Sequence, residues 1–226
     1  MHIGLIGGLG PAATISYYTR LIAAFKKADL PLSLTIEHAD MNALVQRAAE
    51  DQRTAQAEVF ATHLDRLAGA GSDIALITAI TGHFCFEETQ VISPMTLMDG
   101  TGIIETYCHD NGIKTLGILG SRTTLETNLF GLLKTVEAVV PQDRFESVWS
   151  AYMKMAETGI CSEEQRTLFF EAGQAMIDDQ QADAVLLAGT DLGLAFDNQT
   201  PGFRVIDVIE LHINALVSMV AAGGLK

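Results

Sequence analysis

The chain is short of the residues that mark several common protein classes. It has 14 lysines and arginines against 28 aspartates and glutamates, a formal net charge of -14 over 226 residues. Nucleic acid and anionic membranes both need a basic face, so this composition disfavours either as a partner. Its three cysteines, Cys85, Cys108 and Cys161, are irregularly spaced and form neither a disulfide framework nor a zinc-binding pattern. No apolar run approaches the roughly 20 residues that span a bilayer. Met1-His2-Ile3 runs directly into a strand without a basic segment before it, so no secretory signal is read. These absences point to a soluble cytoplasmic protein.

What is present is the composition of a globular chain, 48% hydrophobic and 19% charged, long enough for one large domain or two small ones. Short apolar runs alternate with helical periodicity. His2 to Ile6 reads as a buried strand, followed by a glycine loop, Gly7 to Pro11, and a helix to about Lys27. Pro11 suits the first helical turn, and Ile15, Tyr18, Leu21, Ile22 and Phe25 are expected on one face. Leu32 to Glu37 is a second strand and His38 to Ala43 a loop; Asp51 to Ala70 is a long helix, and Ile74 to Ile77 a third strand. Asp99 to Asn111, Arg122 to Val139, Ser162 to Gln180 and Val208 to Ala222 read as helices, and Ala184 and Arg204 open further strands.

Two segments recur at nearly the same offset. Leu116-Gly-Ile-Leu-Gly120 repeats Ile3-Gly-Leu-Ile-Gly7 after 113 positions, and the strand at Ala184 repeats the one at Ile74 after 110. Half the chain therefore looks duplicated. The alternation of strand and helix predicts an α/β fold of two pseudo-duplicated lobes with parallel sheets and flanking helices. The lobes are drawn as residues 1–98 plus 207–226, and residues 99–206. In such sheets ligands sit beyond the strand carboxyl ends, where the suggestive loops fall. A cleft between the lobes is thus the expected site.

Each loop has more than one reading. Gly8-Leu-Gly-Pro-Ala-Ala13 fits a loose dinucleotide fingerprint, but the acidic residue of the next strand, Glu37, lies 29 positions after Gly8 against the usual ~20. The same glycines, Gly8 and Gly10, could bring a small carboxylate onto backbone N–H groups. Thr81 and Thr190 follow buried strands, as helix N-caps or as a pair of hydroxyls for a carboxylate. Histidine is the side-chain type that ordinarily titrates near neutrality, which makes His83 a candidate base, or a structural histidine. Asp191 is a candidate acid/base group or a cap. His38 and Asp40 have no partner in the sequence.

Four motifs in order resemble the aspartate/glutamate racemase superfamily over nearly the whole chain: Ile3 to Pro11 with Thr14 and Tyr17-Tyr18, Ala70 to His83, Leu116 to Thr124, and Leu186 to Gly193, with Val205-Ile-Asp-Val208 and His212 closing. The resemblance implies cofactor-independent chemistry, a homodimer, and a small amino acid or dicarboxylate as ligand. Two cysteines, one per lobe, would flank the substrate's α-carbon, and they fall at Ala79 and Gly189, neither of which can carry a proton. The asparagine beside the first is replaced by Ile80. Gly8, Gly10, Thr81, Thr123 and Thr190 remain as the implied ligand-binding set, and Arg47, Arg53 and Lys154 as partners for a second carboxylate. The expectation is a site that holds an acid without the two-thiol engine. A non-catalytic binding module and a dinucleotide-binding protein are the alternatives.

Overall fold

A computed structural model describes residues 1–223. The elements run β1 (His2–Gly7), α1 (Pro11–Lys27), β2 (Ser33–His38), α2 (Met41–Ala49), α3 (Arg53–Gly69), β3 (Ile74–Ile77), α4 (Phe86–Ile92), β4 (Thr96–Leu97) and α5 (Gly100–Asp110). They continue with β5 (Thr115–Leu119), α6 (Arg122–Glu126), β6 (Glu137–Val139), α7 (Phe145–Thr158), α8 (Glu163–Gln180), β7 (Ala184–Leu187), α9 (Gly193–Phe196), β8 (Val205–Asp207) and α10 (Val208–Ala221). Two compact units form: unit 1 is Met1–Gly100 with the chain from His212 onward, and unit 2 is Thr101–Leu211.

Each unit holds one four-stranded, wholly parallel sheet. The orders β2-β1-β3-β4 and β6-β5-β7-β8 are the same permutation, as a duplicated chain requires. β3 and β7 are buried at every residue, which is why they read as continuous apolar runs; a sheet with helices on both faces has no solvent side to alternate toward. The duplication extends to individual hydrogen bonds. The Asp73 N–H donates to the His2 carbonyl (2.7 Å), and its carboxylate accepts from the His2 N–H (2.6 Å). In unit 2 the Asp183 N–H donates to the Thr115 carbonyl (2.8 Å), and its carboxylate accepts from the Lys114 and Thr115 N–H groups (2.8 and 3.0 Å). These backbone donors hold the Asp183 carboxyl below its ordinary range. One aspartate before the third strand thus fastens the amino end of each sheet.

Three expectations fail for local reasons. The segment after β2 is not a loop throughout: Asp40 accepts the Ala43 N–H at 3.1 Å and caps α2. The helix expected over Arg122 to Val139 stops at Glu126, because Asn128, Leu129, Phe130 and Gly131 all take positive φ (47°, 57°, 61° and 63°). The Thr127 hydroxyl accepts the Phe130 N–H at 2.8 Å and holds that turn. On α1, Ala13, Tyr17, Leu21 and Phe25 are buried, whereas Ile15, Tyr18 and Ile22 are 66%, 49% and 42% exposed. The expected single stripe is two stripes, one packed and one bare.

Beneath α1 a polar group is sealed into the core of unit 1. Tyr17 donates to His212 Nδ1 (2.7 Å), and His212 Nε2 donates to the Gly100 carbonyl (2.9 Å). Burial, then the neighbouring His83, pushes the His212 pKa down to about 4 from 6.5. Unfolded His212 takes up a proton below pH 6.5, while the folded one resists until about pH 4. Its stabilising contribution is therefore full above pH 6.5 and is lost as pH falls toward 4, by about 1.4 kcal/mol per unit. Urea denaturation should find the protein about 2 kcal/mol less stable at pH 5 than at pH 7.5 on this account; a flat profile over that range would refute it.

Candidate functional site

The carboxyl ends of the strands carry the candidate groups, and the two units repeat one arrangement there. After β3 the chain enters a 3-10 turn over Ile80–Cys85, and after β7 another over Thr190–Leu192. Ala79 and Gly189 occupy the same place, the extended residue just before each turn (φ -132°, ψ 126° and φ -95°, ψ 112°). Thr81 and Thr190 lie within the turns and are not their N-caps, so the capping reading of both threonines is set aside. Asp191 is likewise inside its turn. Thr123 sits in the first turn of α6, which Ser121 caps by accepting the Thr124 N–H at 3.3 Å.

His83 is fully buried. Its Nδ1 donates to the Ala79 carbonyl at 3.2 Å, closing the 3-10 turn on itself, and its ring stacks on Phe86. Its Nε2 has no hydrogen-bond partner among the described residues and faces Gly100, where an added Cβ would lie 2.6 Å away. Burial pushes its pKa down, so the ring is neutral and fixes the backbone around Ala79.

Gly8 bridges β1 and the loop after β2. It has φ +81°, and a Cβ there would meet His38 Nδ1 at 2.4 Å and the Ala39 carbonyl at 2.6 Å; only glycine allows this approach. Its N–H donates to Thr14 Oγ1 at 2.9 Å. Glu37, at the end of β2, binds Arg66 at 2.6 Å and His63 at 3.2 Å, and Arg66 first among these holds its carboxyl low. The N–H and the carboxylate that a dinucleotide would call on are thus both engaged within the protein. Gly10 is the extended residue before α1.

Beside Gly8 a cavity of about 500 Å3 opens over the carboxyl ends of β1 and β2, lined among others by Pro11, His38, Asn42, Arg47, Gln56 and His63. Arg47 donates to the Gln56 side-chain carbonyl at 3.2 Å and meets no carboxylate among the described residues. Sequence reasoning placed Arg47 beside Arg53 and Lys154 as equivalent candidates; the structure separates them. Arg53 pairs with Asp51 at 2.7 Å, and Lys154 is an exposed residue of α7. Only Arg47 lines the cavity.

In unit 2 the equivalent strand end is closed by a residue that sequence reasoning missed. Tyr152, from α7, lies across Gly189: a Cβ there would be 2.4 Å from Tyr152 Cε2 and 2.8 Å from Cζ. The Tyr152 hydroxyl points to Asp191 Oδ2 at 3.4 Å. Burial, then the Asp191 charge, raises the phenol well above its ordinary pKa. The helix carrying Tyr152 was itself not read from the sequence, so this partner of Gly189 had no signal there. Neither Ala79 nor Gly189 carries a thiol; burial pushes Cys85 and Cys108 up to about 11 and also raises Cys161.

The family model for Asp/Glu/Hydantoin racemase matches residues 6–216. The chain belongs to that family. Solved racemase-family structures share its fold: an aspartate racemase homologue from Pyrococcus horikoshii OT3 (TM-score 0.82, 20% identity, 97% of this chain and 99% of that one) and aspartate racemase from Picrophilus torridus (TM-score 0.75, 20% identity, 100% and 96%). A glutamate racemase from Francisella tularensis, solved with D-glutamate, is more distant (TM-score 0.62, 13% identity, 98% and 81%). A comparison with curated protein sequences gives no match.

For this racemase-family chain the contact at Gly189 makes a stability prediction. Gly189 has ordinary extended backbone angles, so only space keeps a side chain out. Gly189→Ala should cost about 1–3 kcal/mol through overpacking, and most of that cost should vanish in a Tyr152→Ala background. Chemical denaturation of the four proteins of this cycle measures the coupling; additive effects would show that the ring is not what excludes the side chain.

Proposed function

We propose that the protein binds a small amino acid or dicarboxylate at the strand carboxyl ends, with Arg47 taking a carboxylate. The observation that carries this reading is a guanidinium lining a cavity, without an acidic partner among the described residues, in a chain of net charge -14. An anion brought to it gains charge-assisted, bidentate hydrogen bonds. Membership of a racemase family supports the same ligand class. The positions at which the resemblance implies thiols are Ala79 and Gly189, so proton transfer between two cysteines is not expected, and the chemistry is altered or lost. A binding module without turnover is the second reading, favoured by the burial of His83. Three unpaired thiols fit a reducing compartment such as the cytoplasm.

A panel of L- and D-aspartate, L- and D-glutamate and small dicarboxylates tests the binding. At least one should raise the melting temperature in proportion to the logarithm of its concentration. Arg47→Ala should weaken that acid by about 10- to 100-fold, the loss of a charge-assisted pair of about 1.5–3 kcal/mol. A panel that shifts nothing overturns the reading.

We also propose a homodimer through α1 and the edge strand β2. Ile15, Tyr18 and Ile22 lie bare on α1, Ile36 is exposed on β2, and exposed apolar residues grouped on one element mark an interface. Sedimentation velocity should show a dimer for the native chain and a monomer for Ile15→Lys/Ile22→Lys. A native monomer at micromolar concentration would refute the proposal.

A further inference from the structure

Gln56, in the first turn of α3, is only 2% exposed, yet it lines the cavity beside Gly8. Its side-chain carbonyl accepts from Arg47 at 3.2 Å. That contact fixes which way the amide is turned, because a guanidinium is donor-only and its N–H must meet oxygen. The two N–H donors of the amide are left over, and among the described residues they meet no acceptor. A buried donor without a partner is costly, and a bound acceptor removes that cost. Arg47 spends one of its five N–H donors on Gln56 and has the others to offer. Where these two side chains meet, the cavity wall therefore presents donors. Asp40, the acidic residue of the lining, caps α2 seven residues earlier, roughly 10 Å back along the helix axis.

We propose that Arg47 and Gln56 form a two-donor fork that takes a carboxylate and rejects the carboxamide of the same shape. This rests on the acid-binding reading above and names what that site selects. A carboxylate is acceptor-only, so one oxygen takes an N–H from Arg47 and the other an N–H from Gln56. A carboxamide placed there gives its carbonyl to Arg47 and turns its own NH2 group on that of Gln56. Donor then faces donor, and turning the amide over only moves the conflict to Arg47. A site built to one hydrogen-bonding pattern rejects an isostere that breaks it far more strongly than a site built on fit alone. The ligand is thus a free acid, and its amide is excluded.

The test measures binding through the ligand-induced rise in melting temperature, for the acid that the panel selects and for its two monoamides. For aspartate these are asparagine and isoasparagine; for glutamate, glutamine and isoglutamine. Whichever carboxylate sits on the fork, one of the two monoamides replaces it. The native protein should bind that monoamide about 100-fold more weakly than the acid, or worse. Gln56→Met keeps the length of the side chain and removes the donor; it should weaken the acid about 10- to 100-fold. Gln56→Glu keeps one oxygen for Arg47 and turns the donor into an acceptor. It should invert the preference, with the monoamide now bound more tightly than the acid.

A Gln56 that merely positions Arg47 would lose the acid in both variants and gain no amide in Gln56→Glu, and that result overturns the fork. So does an acid held as tightly by Gln56→Met as by the native chain, or a native protein that binds both monoamides as well as the acid. Each of these leaves the binding reading standing. Should Gln56→Met fail to fold, Gln56→Glu decides alone, since its charge has Arg47 beside it. If no acid binds the native protein, the binding reading falls and takes the fork with it.

Discussion

The parallel pairing of a central, wholly buried strand with its neighbours is the constraint on which the rest depends. β3 and β7 have no exposed residue, so their side chains can only be apolar, and polar groups can emerge only where the strands stop. Asp73 and Asp183 hold the amino ends by taking the first backbone N–H groups of the adjoining strand. With one end fastened and the middle sealed, the carboxyl end is the only place left for chemistry. Ala79, Thr81, His83, Gly189, Thr190 and Asp191 all follow those strand ends.

The two units repeat the scaffold and diverge at its tips. Ala79 and Gly189 share a backbone conformation, but what surrounds them differs in kind. Beside Ala79, His83 spends its one donor on the turn, and its Nε2 meets no partner among the described residues. Around Gly189 a phenol and a carboxylate converge. Unit 1 instead places its polarity to the side, in the cavity with Arg47. The duplicated scaffold thus carries a cation beside one strand end in unit 1 and a phenol beside a carboxylate at another in unit 2.

Much of this was legible in the sequence. The glycine loop, the buried strands and the offset between Gly4 and Gly117 reported the duplicated sheets, because parallel strands buried on both faces leave an unbroken apolar run. The positions of Ala79 and Gly189 came from the family resemblance of the two strand-end motifs. What was not legible lies in contacts between distant segments. Tyr152 approaches Gly189 from a helix 37 residues earlier, and no local pattern announces that. The caps and turns misread around Asp40 and Asn128 depended on single side-chain hydrogen bonds too weak to show in periodicity. Arg47 could not be told from Arg53 until Asp51 was seen to neutralise one of them.

The contact between Tyr152 and Gly189 also bears on how such a site changes over generations. A ring at one position and a side chain at the other coexist only if one of them shifts, with a Cβ only 2.4 Å from the ring. A lineage that carries the tyrosine gains a side chain at residue 189 only through a destabilising first step, whichever residue appears. Losing the ring first opens a hole in a packed core, which carries its own penalty. Both single steps are destabilising, so the ring and the missing side chain are exchanged at least cost when they change together.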